Sequence, residues 1–142
     1  MGEGFPQAAR QIMNERFRCD ALYALATVED GRPFVRAVNG YYEDVAIYVI
    51  THALSNKMRQ IGMNPPVSIC GEWFTASGTG ENLGHILDEK NHELAEKLRN
   101  AFAEWYGNGH TDESDPNTCI LRIRLTSGVL LSRGIRYDID FQ

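Results

Sequence analysis

The chain is predicted to fold as a single α+β domain, mainly β, and three observations carry that prediction. Short apolar or alternating runs recur along almost the whole length, separated by tight-turn signals such as Asp30-Gly31 and Pro65-Pro66. Only two or three stretches repeat their apolar residues at helical spacing. No linker, repeat or low-complexity tract divides the 142 residues, and 43% of them are hydrophobic, enough for one sizeable core. Strands joined by hairpins pair antiparallel, and about seven or eight of them on one core make a closed or a split barrel.

The elements follow in order. Ala8 to Phe17 reads as a short amphipathic helix with Ile12, Met13 and Phe17 on one stripe. "ALYALATV", Ala21 to Val28, is apolar on both faces and reads as a buried strand. Asp30-Gly31 then predicts a two-residue hairpin with positive φ at both positions, and "PFVRAVNGYY" is the return strand. "VAIYVIT" is a third strand ending at Thr51. Ser55 can cap a helix that runs to about Asn64, where the prolines stop it. "PVSICGEWF" and "ASGTGENLGHI" read as two further strands, the glycines of the second marking bends or close backbone approach. A helix from about Glu89 to Tyr106 carries Leu94, Leu98, Phe102 and Trp105 on a core face. The polar "GNGHTDESDPN" is a loop, and "TCILRIRL", "GVLLS" and "RYDIDF" complete the strands.

Composition excludes several classes of function. The formal net charge of −5 argues against general affinity for nucleic acid or anionic membranes. No apolar run approaches the roughly 20 residues that span a bilayer, and the segment Met1 to Phe17 lacks the apolar core of a secretion signal. Cys19, Cys70 and Cys119 are odd in number and widely spaced, which suits reduced thiols in a cytoplasmic protein. His85 and His92 lack a cysteine or carboxylate frame for a metal, and no metal site is expected.

Two features point to an anion. Arg36 shares a strand face with Phe34 and Val38, while Val35 and Ala37 take the other, so neither side reads as solvated. A guanidinium there needs an answering charge, either a bound anion or an internal carboxylate. The stretch "THALSNKMRQI" gathers Thr51, Ser55, Asn56, Lys57 and Arg59 around a helix start, whose free N–H groups and dipole favour phosphate. Alone, that stretch reads equally as a capped surface helix. With Arg36 in the same meander, it favours a phosphorylated small molecule.

The order "ALATVEDGRPFVRAV", "IYVITHALSNKMRQIGMNPPVSI", "SGTGE", from Ala21 to about Gly78, resembles the pyridoxamine 5′-phosphate oxidase-like family of FMN-binding split barrels. Length and C-terminal half are most similar to its small general stress and 5-nitroimidazole reductase-like members. The resemblance implies a split barrel and FMN as cofactor. Arg36 and Lys57 would hold its phosphate with Ser55 and Asn56, while Ala37, Val38 and Asn39 present backbone along the flavin and Ile50 and Thr51 line its other edge. Family members often carry arginine where this chain has Asn56, and Arg59 is the candidate replacement. It also implies a homodimer with FMN at the interface, a residue near Trp73 or Phe74 reaching across from the partner. The implied activity is oxidoreduction, the flavin reduced by a nicotinamide donor and oxidised by a small acceptor; the alternative is a non-enzymatic flavin- or haem-binding stress protein. "LLSRGIRYDIDFQ" does not reproduce the oxidase's C-terminal motifs, so pyridoxamine phosphate oxidation itself is not implied. For haem, His52, His85, His92 and His110 are the available histidines; His52 is also the one titratable residue beside the expected site, and no catalytic residue is singled out.

Overall fold

The computed structural model describes residues 4–109 and 111–142. Met1–Glu3, at the start of the segment read against a secretion signal, and His110, one of the four histidines weighed for haem, lie outside them.

Helix α1 (Gln7–Phe17) buries Ala9, Met13 and Phe17, one residue per turn on a single stripe. Phe17 meets the rings of Tyr23 and Phe74, with centroids 5.6 Å and 5.2 Å away. Strands β1 (Ala21–Glu29) and β2 (Arg32–Glu43) form the expected hairpin, with Asp30 at φ 52° and Gly31 at φ 75°. A second two-residue turn, Asp44-Val45, leads to β3 (Ala46–His52); both turn residues have positive φ, so Val45 belongs to the turn and not to the strand. Helix α2 (Asn56–Met63) begins at its Ser55 cap, whose Oγ accepts from the N–H of Met58, and ends before Pro65.

The run "PVSICGEWF" is not one strand. It divides into β4 (Pro66–Gly71), a turn with Trp73 at φ 53°, and the first residue of β5 (Phe74–His85). Two glycines of β5 mark close approach, as expected. A Cβ on Gly80 would lie 2.8 Å from Ile61 of α2, and one on Gly78 would lie 2.7 Å from the Arg124 carbonyl oxygen. Gly80 thereby lets α2 lie directly on the barrel wall.

The expected long helix is broken. A 3₁₀ turn (Glu89–Asn91) leads to α3 (His92–Ala101), and Phe102, at φ −98° and ψ 14°, separates it from α4 (Ala103–Tyr106). Leu98 and Phe102 are fully buried in a small core with Ile86 and Ile120, whereas Trp105 is only partly covered. "TCILRIRL" and "GVLLS" are one continuous strand, β6 (Thr118–Ser132), and a turn at Arg133-Gly134 returns as β7 (Ile135–Asp140).

The antiparallel order is β3-β2-β1-β4-β5-β6-β7, and β3 pairs again with β6, closing a six-stranded barrel with β7 appended. The first half of β6 pairs with β3 and its second half with β7. Closure is incomplete on one side. Strand β2 follows β1 from Arg32 to Gly40, and β3 follows β6 from Ala46 to His52, yet β2 and β3 pair only from Tyr41↔Tyr48 to Glu43↔Ala46. Beyond that the two strands part, and their facing edges border a gap. This is the split.

The outer wall differs from the expected picture. Val38, Tyr23 and Leu25 face inward, but Leu22, Ala24, Val35 and Ala37 are exposed, so β1 and β2 carry an apolar outer face that none of the described residues covers.

Candidate functional site

The split opens into a recess of about 240 Å³. Ala37, Val38 and Asn39 of β2 form one side, and Val49, Ile50 and Thr51 of β3 form the other. Arg36 and Lys57 stand in it together, and Trp105 of α4 adds a wall. The five lining positions inferred by resemblance, Ala37, Val38, Asn39, Ile50 and Thr51, therefore meet two cations from separate elements, and Val49 joins them.

Arg36 points to the inner side of β2, over the end of α2. Its Nη1 donates to Thr27 Oγ1 (2.7 Å) and to the Leu25 carbonyl (3.3 Å), and its Nη2 donates to Gln60 Oε1 (3.0 Å). Thr27 and Gln60 are themselves buried and bonded at 2.5 Å, and Gln60 Nε2 donates to Glu29 Oε1 (3.1 Å). Every one of these acceptors on Arg36 is neutral. The internal carboxylate weighed as its alternative partner does not touch it; Glu29 instead takes the Arg59 guanidinium at 2.8 Å.

Lys57 leaves the first turn of α2 and donates to Thr51 Oγ1 (2.7 Å), again a neutral oxygen. Burial pushes its ammonium below the ordinary lysine value, and the Arg36 charge pushes it further the same way. Burial lowers Arg36 as well. Two half-buried cations that repel one another, on hydroxyl, amide and carbonyl partners, form an electropositive hole suited to a doubly charged phosphate. Lysine in the first helical turn opposes the dipole, a local penalty that an anion at this helix start would remove.

The remaining candidates sit at the margin. Ser55 Oγ is committed to the α2 cap, and Asn56 Oδ1 accepts from Arg59 Nη1 (2.7 Å), so neither lines the recess directly. Arg59, the candidate replacement cation, is held between Asn56 and Glu29. His52 turns away: its Nδ1 accepts from the Leu54 N–H, so its Nε2 carries the proton and donates to Asp115 (3.0 Å). Phe74 belongs to the core at 2% exposure, and Trp73, 69% exposed, is the one of that pair able to reach outward.

Sequence reasoning missed Thr27, Gln60 and Trp105. Gln60 was detectable: it lies one helical turn from Lys57, between Met58 and Ile61 on the stripe that α2 buries. Thr27 and Trp105 gave no such signal, since each looks like an ordinary core position. A larger groove, about 740 Å³, runs along the outer wall past Ala24, Ala26, Val35 and Val129; its charged lining residues are Asp138 and Asp140, so it is no phosphate site. Among the described residues, no group of three His, Cys, Asp or Glu could hold a metal ion. Among the described residues, no helix is long and apolar enough to cross a membrane.

The structure is an antiparallel split barrel with a two-cation recess between β2 and β3. The chain belongs to the pyridoxamine 5′-phosphate oxidase family, whose model matches residues 9–131. General stress protein 26 of Bacillus subtilis (strain 168) is 27% identical over 123 residues, covering 84% of this chain and 85% of that protein. An FAD-binding protein from Mesorhizobium loti has the same fold, with a TM-score of 0.66 at 18% identity over 83% of this chain and 90% of that one. A heme binding protein from Mycobacterium smegmatis also shares it, with a TM-score of 0.65 at 15% identity over 86% of this chain and 53% of that one.

Proposed function

We propose that this chain is an FMN-binding oxidoreductase of its family, its flavin reduced by a nicotinamide donor and reoxidised by a small acceptor. The observation that carries the reading is the pair Arg36 and Lys57, converging in one recess with no carboxylate on either. A phosphate monoester neutralises both cations and restores the proton affinity that burial takes from Lys57. Thr27 and Gln60 hold the guanidinium in place, and Thr51 holds the ammonium. The open edges of β2 and β3 then offer N–H and C=O groups to the polar rim of a flat ring. Bound flavin supplies hydride acceptance and release, and the protein supplies position, charge and exclusion of water.

A recess of about 240 Å³ is smaller than the roughly 300–1,000 Å³ of typical cofactor pockets. That shortfall and the exposed apolar outer wall both support a homodimer with FMN at the interface, with the exposed Trp73 as the candidate to reach across. The thiols of Cys19, Cys70 and Cys119 are all free, which supports a cytoplasmic setting.

One observation favours a second reading, a flavin carrier without turnover: among the described residues, no carboxylate, histidine or tyrosine lines the recess to move a proton. Haem fits less well. In both His52 and His85 each ring nitrogen is already bonded, His85 Nε2 to the carbonyls of Glu113 and Asp115 and its Nδ1 to the Leu87 N–H.

The deciding experiment is the visible spectrum of protein purified without added cofactor and after incubation with FMN. A flavin spectrum bleached anaerobically by a nicotinamide donor and restored by an acceptor supports the enzyme. A flavin spectrum indifferent to the donor supports the carrier, and a protein that takes up no FMN rejects both.

A further inference from the structure

The wall formed by Trp105 has no role in the phosphate grip, yet it is the most firmly positioned aromatic at the recess. Its indole stacks on the buried Phe102, with centroids 5.0 Å apart and planes 30° from parallel. Its Nε1–H donates to Asp20 Oδ2 at 2.9 Å, and the other oxygen of Asp20 accepts from Asn39 Nδ2 at 3.0 Å. Asn39 lies on the open edge of β2 that lines the same recess. Asp20 thus ties the last turn of the α3–α4 arm to one lip of the split, and the indole is fixed before any ligand arrives. The break at Phe102 belongs to this arrangement, for there the side chains stop serving the small core and Trp105 meets the recess.

A rigid aromatic face is worth most to a flat ring, because little side-chain freedom is lost on stacking. The cations serve a phosphate, and Trp105 serves a ring. We propose that Trp105 is the stacking platform of the site and makes it selective for a phosphate ester that carries a planar ring system over phosphate itself. The inference rests on the phosphate reading of Arg36 and Lys57 and adds the ligand's other end.

The test is a fluorescence titration of FMN, with inorganic phosphate followed in parallel by its effect on the melting temperature. Indole quenches flavin emission by electron donation at stacking distance; phenylalanine stacks but does not donate. Trp105→Ala is expected to weaken FMN binding about tenfold, to leave the phosphate effect unchanged, and to make the bound flavin emit. Trp105→Phe, which keeps a ring against Phe102 and so protects the fold, should bind FMN nearly as the parent does while its bound flavin also emits. Asp20→Ala frees the indole without removing it, and bound emission should rise part of the way. Parent-like affinity and parent-like quenching in Trp105→Phe and Trp105→Ala overturn the platform. If FMN binds the parent and is lost in Arg36→Ala/Lys57→Ala but ignores every change at Trp105, only the platform falls. If the parent binds no FMN, the phosphate reading falls and the platform with it.

Discussion

Lys57 and Arg99 are both partly covered cations on short helices, and their surroundings are opposite. Arg99 of α3 faces Glu113 through Nε at 2.7 Å and Nη2 at 3.1 Å, and the Tyr106 hydroxyl donates to the same carboxylate. That partnership raises Arg99 and holds Glu113 below the usual carboxylate range. Lys57 has a hydroxyl and a neighbouring guanidinium, and it is lowered. The first arrangement is complete within the chain and fastens the segment around Glu113 to the α3–α4 arm. The second pairs its cations with neutral groups alone, which suits the phosphate of the proposed reading.

The comparison can be broken most sharply at the recess. Arg36→Ala with Lys57→Ala should lower FMN affinity by about 100-fold or more, because both charge-assisted anchors of one phosphate are lost together. Titration of flavin fluorescence measures it, and circular dichroism should show the barrel intact. An unchanged affinity would place the phosphate elsewhere. The complementary change at the other end is Glu113→Gln. It should destabilise the protein by about 1.5 kcal/mol in denaturant unfolding and leave FMN affinity alone, since Glu113 fastens the loop and lines no part of the recess.

The two regions should also answer pH in the same sense, each gaining stability as pH rises, but in widely separated windows. Glu113 has a folded value below its ordinary 4.5, so its stabilisation is present above that value and is lost as pH falls through the folded one. Lys57 has a folded value below its ordinary 10.5. The unfolded chain therefore binds more protons in the interval between the two, and the penalty of burying the ammonium, present at neutral pH, is relieved as pH rises toward 10.5. Melting curves between pH 8 and about 10.5 should show the ligand-free parent gaining stability relative to Lys57→Met. Saturating FMN should abolish that gain, because a bound phosphate raises Lys57 again. A parent that tracks the variant across this range would show that Lys57 carries no burial penalty.

The smallest effect belongs to the cation already answered. Arg59→Ala removes a surface guanidinium held by Glu29 and Asn56. It should change FMN affinity by less than about twofold, as expected of an exposed ion pair. A large loss would return Arg59 to the proposed phosphate site.

How much of this was legible beforehand follows the range of the interaction. The Asp30-Gly31 hairpin and the Ser55 cap depend on a few neighbouring residues, and both are present as expected. Gly78 and Gly80 could be read as places of close approach, though not what approaches them. Alternation grouped Arg36 with Phe34 and Val38 but could not say which face is inner or name its partners: Thr27 is a strand away, and Gln60 reaches it from α2. "GEWF" looked like strand because its side chains suit a strand, and the turn at Trp73 is imposed by register with β5. The break at Phe102 was invisible, since the apolar spacing continues through it and the competing pull comes from a distant core.

By itself, then, the sequence determined the strand-rich class, the turns, the capped helix and the residues with anion chemistry, all set by local sterics and periodicity. Only the tertiary structure decided that β3 leaves β2 to pair with β6. That exchange opens the split, brings Arg36 and Lys57 into one recess, and turns Trp105 from core to wall. Its cause is long-range strand pairing, a choice among partners that no local pattern encodes.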